Sequence, residues 1–303
     1  MSSSRNPAPK KDHRERLSLL ENIWIFLEDA FLNHSPSRKQ MNVFQELKTL
    51  EVLHDFIVKL GSALKVDSPA IFSATVYVGR FYMRMSITTS KYFVASASMV
   101  IANKLHDNYR PLDRTAMLAA RLKNPDMQVD EQSDIFWNWR DQLLYREELI
   151  LKNLNFDLNC DLPYGIRDSL MQINFDVDGG KNAFESLKDD IFKNTIRLIE
   201  MLTALPILLA YDIYVLFGAV IVVVVCKMKE SSSEQHLELK LPSRFLSSYL
   251  HVDIEMSYKC YHYIQLLLKH SESSDPRVTC HTHIRRAFKS MDRSTFYDIA
   301  NEH

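Results

Sequence analysis

The stretch Tyr92-Phe-Val-Ala-Ser-Ala-Ser-Met-Val-Ile-Ala-Asn-Lys104 is apolar or neutral until its last residue, a single lysine. It has no polar stripe, so it reads as a helix covered on nearly all sides. Ala95, Ser96, Ala97, Ser98 and Ala102 let neighbouring helices approach closely, as at the hub of a bundle. A second helix closes with Tyr145-Arg-Glu147-Glu-Leu-Ile-Leu-Lys-Asn-Leu-Asn-Phe156-Asp-Leu158. A lone charge at the end of an apolar helix costs desolvation energy unless it is exposed or paired. Spacing alone makes Lys104 and Glu147 an ordinary surface salt bridge, worth about 0–1 kcal/mol. The stretch carries no nucleophile with a base, no metal cage and no phosphate loop. It reads as a rigid helical module, which points to a regulatory subunit rather than an enzyme.

Composition agrees with an all-α chain. Of 303 residues, 46% are apolar and 25% charged, the mix of a soluble globular protein. Only 6 are glycine, about 2% against a usual share of about 7%, so tight turns and bulges are few. The net charge of −1 gives no global drive toward nucleic acid or anionic membrane, and neither is expected as a partner. Cys160, Cys226, Cys260 and Cys280 form no C-x-x-C pair and read as unpaired thiols in a reducing compartment. The polar, basic N-terminus shows no secretory signal. Thr203 to Cys226 is strongly apolar, but its core of about 14 residues falls short of the ~20 a membrane span needs. Pro206 and Asp212 interrupt it, so it is expected to be a buried central helix.

Helical spacing places further elements. Residues 1–13 read as a disordered basic tail, and Arg14 to Leu32 as a helix within an N-terminal segment 14–38. Helices are then expected at Val43–Leu64, Ala70–Met85 behind a Ser68-Pro69 start, Lys91–Leu105, Pro111–Leu122 and Ile135–Leu154. A second set follows at Leu162–Gln172, Ala183–Leu202, Tyr211–Met228, Pro242–Leu250 and Ile254–Lys269. Loops are expected around Gly179-Gly180 and over Glu230–Glu234. Val94–Lys104 can be laid over Phe217–Lys227: both runs are apolar, and both end in lysine. Five helices on each side of this faint repeat predict two five-helix bundles, residues 39–160 and 161–270, with an extension at 271–303. Cys280-His281-Thr-His283 lacks a second ligand cluster, so the extension reads as an exposed tail rather than a zinc site. No catalytic, cofactor-binding or metal-ligating residue is expected.

Two tandem five-helix units resemble the cyclin fold. Val76-Tyr-Val-Gly-Arg80-Phe-Tyr-Met resembles the second helix of a cyclin box, and Ala102-Asn-Lys104-Leu-His-Asp the end of the third. Glu147 to Leu158 is similar to the fifth-helix pattern E-x-x-I-L-x-x-L-x-F-x-L. Trp24-Ile-Phe26 followed by Asn33-His-Ser35-Pro36-Ser37-Arg38 is similar to the entry of transcriptional cyclins of the T/K/L group, most of all the cyclin of the fungal Bur kinase. The likeness covers roughly Trp24 to Leu158, and the second box matches only in architecture. His106-Asp107 departs from the family's acidic pair.

The resemblance implies a non-catalytic regulatory subunit, forming a heterodimer with a cyclin-dependent kinase. Lys104 and Glu147 would then be neighbours on the kinase-facing surface, with Leu105, Leu151 and Phe156 as apolar anchors. It implies allosteric activation of a nuclear kinase acting on the RNA polymerase II C-terminal domain and on elongation factors. The alternatives are a Mediator- or splicing-linked cyclin, or a TFIIB-like cyclin-box factor binding DNA. The last normally carries a zinc ribbon and a strongly basic core, which this sequence lacks. The basic C-terminus (His281, His283, Arg285, Arg286, Lys289, Arg293) is read as one face of a solvated amphipathic helix, with a patch for phosphorylated polymerase tail or RNA as the alternative.

Overall fold

The computed structural model describes residues 23–87, 90–175, 183–231, 239–273, 275, 277–288 and 290–302. The expected tail at 1–13, the Gly179-Gly180 loop and most of the Glu230–Glu234 loop lie outside them. Among the described residues the chain is helical without strands. A short α1 (Glu28–His34) and a 3₁₀ turn (Pro36–Lys39) precede five helices: α2 (Val43–Leu64), α3 (Ser68–Tyr82), α4 (Lys91–Leu105), α5 (Leu112–Lys123) and α6 (Asp134–Asn153). The second half holds α7 (Pro163–Met171), α8 (Ala183–Leu202), a 3₁₀ turn (Pro206–Leu209), α9 (Ile213–Ser231), a π turn (Leu246–Leu250) and α10 (Ile254–His270). Two short helices, α11 (Thr282–Ala287) and α12 (Arg293–Ala300), close the chain.

Local chemistry sets these boundaries. Asn42 and Gln45 form a capping box at the start of α2: the Gln45 N–H donates to Asn42 Oδ1 at 2.9 Å, and the Asn42 N–H to Gln45 Oε1 at 3.0 Å. The helix stops at Lys65, which takes a left-handed φ of 54°. Pro69 sits in the first turn of α3, where a missing N–H costs nothing. Ser133 caps α6 by accepting from the Phe136 N–H at 3.3 Å.

Each half is built on one covered helix. Every residue of α4 from Val94 to Asn103 is buried, as its lack of a polar stripe predicts. Around it pack Leu53, Ile57, Leu60, Tyr77, Phe81 and Trp139. In the second half α9 has that position, buried from Val215 to Cys226, so the two runs that could be superposed in sequence are the two hubs. Its valine run is a poor helix former and is held by burial. No helix among the described residues is long and apolar enough to cross a membrane. The two cores join: Phe31, Leu47, Phe72 and Val76 from the first half belong to the apolar cluster around α9. The Phe26 N–H donates to the Leu209 carbonyl at 2.7 Å, and the Glu28 carboxylate accepts from the Tyr211 hydroxyl.

Three expectations need correction. Residues 23–27 are irregular, and the described part of the N-terminal helix begins at Glu28; the backbone there is held by Leu209 rather than by its own ladder. Pro242–Leu250 is not a helix throughout, since only a π turn at Leu246–Leu250 forms. The segment before it is pinned by the end of the chain: the Leu241 N–H donates to the Ile299 carbonyl at 3.0 Å, and the Arg244 N–H to the Asn301 carbonyl at 3.1 Å. The C-terminal extension is not an exposed tail, because Cys280, His281, Ile284, Phe288, Phe296 and Ile299 are all buried.

Candidate partner-binding surface

Packing of α4 against α6 sets the site. The covered face of α4 ends at Asn103, and the next two residues emerge at the helix terminus. Lys104 is 51% exposed and Glu147 16%, and the Lys104 ammonium donates to Glu147 Oε1 at 2.5 Å. The predicted pair is therefore formed. Leu105 beside it is 47% exposed. Leu151 lies one turn beyond Glu147 and is half-buried against the first core. Leu144, which sequence reasoning missed, is an exposed leucine one turn before Glu147. Positions 144, 147 and 151 share one face by helical spacing, so α6 presents an apolar–acidic–apolar stripe. The signal was readable: a leucine at a position the core does not use.

Phe156 is the sharpest feature. It is 68% exposed and follows the end of α6 in a turn where Asn155 and Phe156 take φ of 52° and 58°. The left-handed region costs a residue with a bulky side chain on the order of 1–2 kcal/mol, and asparagine less. The turn is locked by the Phe156 N–H donating to the Leu151 carbonyl at 2.9 Å. Strain spent on holding an aromatic ring in water points to a role outside the fold. The residues after it are tied down. Asp157 accepts from the Trp24 indole N–H at 2.9 Å, the Leu158 carbonyl from Tyr77 at 2.9 Å, and the Asn159 carbonyl from buried Arg80 at 2.7 Å. Arg80 and Arg84 both stack on the Trp24 ring, at 5.3 and 4.8 Å.

The Ser35–Arg38 run serves inside the fold. Glu46 of α2 is buried, accepting from Ser35 Oγ at 2.6 Å and from Arg38 at 2.8 Å. Burial raises its pKa, against the pull of Ser35 and Arg38. Arg38 also donates to the carbonyls of Phe31 and Met41, and Ser37 Oγ accepts from the Ile87 N–H at 2.9 Å. The motif clamps α1, α2 and the entry to α4 together. His106, where the resembling family has an acidic residue, braces α3 through a 2.8 Å hydrogen bond to Ser73; burial lowers its pKa. Cys280 and His281 turn inward, toward the carbonyls of Ser271 and Leu47.

Residues 22–159 match the model of the cyclin N-terminal domain, and the curated proteins the chain is similar to include Cyclin pch1 and T-type cyclins. Cyclin pch1 of Schizosaccharomyces pombe is 37% identical over 144 residues, covering 46% of this chain and 42% of that protein. Cyclin-T1 of Mus musculus is 28% identical over 144 residues, covering 46% of this chain and 20% of the mouse protein. The chain thus matches less than half the length of these curated relatives. A chain in the crystal structure of the yeast RNA Pol II CTD kinase CTDK-1 complex superposes with a TM-score of 0.60 at 13% identity. That match covers 86% of this chain and 92% of that one, so the fold likeness runs through both helical halves.

Proposed function

We propose that the chain is the regulatory cyclin subunit of a nuclear cyclin-dependent kinase that phosphorylates the RNA polymerase II C-terminal domain and elongation factors. It binds the kinase through Lys104, Glu147, Leu105, Leu151 and Phe156, and supports transcription elongation. The observation that carries the reading is the exposed Lys104–Glu147 pair in company with exposed Leu105 and a strained, exposed Phe156. A half-exposed pair adds too little to stability to account for such an arrangement. At an interface it can donate to and accept from a partner's backbone and fix register. The T-type relatives, and the CTD kinase complex that holds the structural neighbour, favour this partner class.

The chemistry then belongs to the partner. A protein kinase needs its β3 lysine paired with a glutamate of helix αC. A subunit that binds only the paired state moves the population toward it. Shifting that equilibrium from 1:99 to 99:1 takes about 5.5 kcal/mol of differential binding. The test is the double variant Lys104→Glu with Glu147→Lys. The two charges still attract, so the helical bundle persists, but the polarity offered to a partner is reversed. Kinase recovered in pull-down and kinase activation should both fall by about tenfold or more, with an unchanged circular dichroism spectrum. Undiminished activation would remove these residues from the site.

A further inference from the structure

A cavity of about 440 Å³ opens between α8, α9 and α11, well away in sequence from the Lys104 surface. Its volume lies within the range of ligand pockets. Arg197 of α8, Lys227 of α9, and His283 with Arg286 of α11 bring basic groups to its wall. His283 and Arg286 are three apart on α11 and share a face. Among the described residues no carboxylate lines the cavity, and Arg197 and Arg286 make no ion pair. His283 acts on two carboxylates of α2, and each has a nearer partner: Glu51 accepts from the His281 N–H at 2.5 Å, and Asp55 is held by His54. In a chain of net charge −1, this is a concentrated patch of one sign. The rest of the wall is apolar, with Leu198, Val224 and Met228.

We propose that this cavity is a docking site for a phosphorylated serine or threonine within a peptide carrying an apolar neighbour. Two guanidinium forks without ion-pair partners suit bidentate contact with phosphate oxygens, and a phosphate group brings about −1.5 to −2 charges at neutral pH. Leu198, Val224 and Met228 take the apolar neighbour. A single-stranded RNA is the poorer fit, because such sites stack bases on aromatic rings and no aromatic side chain lines this one. The site does not depend on the kinase-binding reading, since none of its helices contributes to the Lys104 surface.

The experiment is fluorescence anisotropy on the full chain, with a short labelled Leu-phosphoserine-Pro peptide. Its unphosphorylated twin, inorganic phosphate as competitor and an oligouridine serve as comparisons. Phosphorylation should raise affinity by about tenfold or more. Arg197→Ala with Arg286→Ala should abolish that gain, whereas Arg114→Ala with Lys259→Ala, an equal change of charge elsewhere, should not. All four residues are exposed, so each variant should keep the parent's circular dichroism spectrum. Equal binding of both peptides, a gain that survives in the Arg197/Arg286 variant, or tighter binding of oligouridine would overturn the proposal. Competition by inorganic phosphate with no preference for the peptide would reduce the cavity to a simple anion site and overturn it as well. Kinase activation by the Arg197/Arg286 variant should stay at the parent level, so failure here leaves the kinase reading intact.

Discussion

At the scale of single residues, His281 shows how strongly burial can commit a titratable group. It is 1% exposed, and its Nε2 lies 3.1 Å from the Leu47 carbonyl. A carbonyl only accepts, so Nε2 carries the proton and the neutral ring is the form the fold holds. Burial lowers its pKa from 6.5 to about 4. The unfolded chain binds a proton near 6.5, while the fold resists it until about 4. The stability this ring contributes is therefore whole above about pH 6.5 and is lost as the pH falls toward 4. Between pH 7.5 and pH 5 that loss is about 2 kcal/mol. His281→Gln keeps an amide N–H for Leu47 and has no proton to gain, so its urea-unfolding free energy should fall about 2 kcal/mol less than the parent's over the same range. Taking the difference between the two chains removes Glu51, whose raised pKa moves stability the other way. Parallel pH profiles would mean that His281 is not held neutral.

At the scale of elements, the Ser35-Pro-Ser-Arg38 clamp makes α1 part of the first bundle. Arg38→Ala removes the donor to Phe31, Met41 and Glu46 together and leaves the buried Glu46 carboxylate without its cation, held by the Ser35 hydroxyl. Losing one partner of such a pair costs about 3–5 kcal/mol, which urea denaturation should read at neutral pH; a change below about 1 kcal/mol would show that the pair behaves as a surface bridge. This clamp also marks the limit of what sequence could tell. Apolar spacing was enough for the interior helices, because the residues that cap and cover α2, α4 and α6 are local: Asn42 with Gln45, Lys65, the small residues of α4, and Ser133. The Lys104–Glu147 pair was legible in part: the end of the apolar run on α4 exposes Lys104, whereas Glu147 lies within α6 and is 16% exposed, and the motif resemblance, not local spacing, set the two on one surface. Leu144 was overlooked because a lone leucine outside the core spacing looks unremarkable in a helix already rich in leucine. The failures lie where distant backbone decides. Residues 23–27 give up helix for a bond to Leu209, and the segment before Leu246 is fixed by Ile299 and Asn301. The His281 ring is buried by a carbonyl 234 positions away. None of these partners leaves a periodic trace in the segment it governs.

At the scale of the whole molecule, the two halves share more than a linker. We propose boundaries at 38/39, 160/161 and 270/271, and the packing across them predicts how the pieces behave alone. Leu47, Phe72 and Val76 of the first half are buried in the apolar cluster around α9. Fully exposing a side chain of this size costs about 1.5–3 kcal/mol, so cutting at 160/161 exposes surface worth several kcal/mol from these three alone. The cut also strips the Leu47 carbonyl of His281, and Glu51 of the His281 N–H. A cut at 38/39 removes Arg38 from Glu46, and Trp24 from Asp157, Arg80 and Arg84. Typical domain stability is about 5–15 kcal/mol, so losses of this size consume most of it. A fragment of residues 39–160 should therefore bind a hydrophobic dye and show a broad, low-temperature melt, while the full chain melts in one cooperative transition seen alike by circular dichroism and tryptophan fluorescence. The three tryptophans, Trp24, Trp137 and Trp139, all lie in the first half, so fluorescence follows that half while circular dichroism follows both. If the fluorescence transition of the full chain came clearly before or after the circular dichroism transition, the halves would be unfolding separately, and the shared core around Leu47 and Phe72 would not be coupling them.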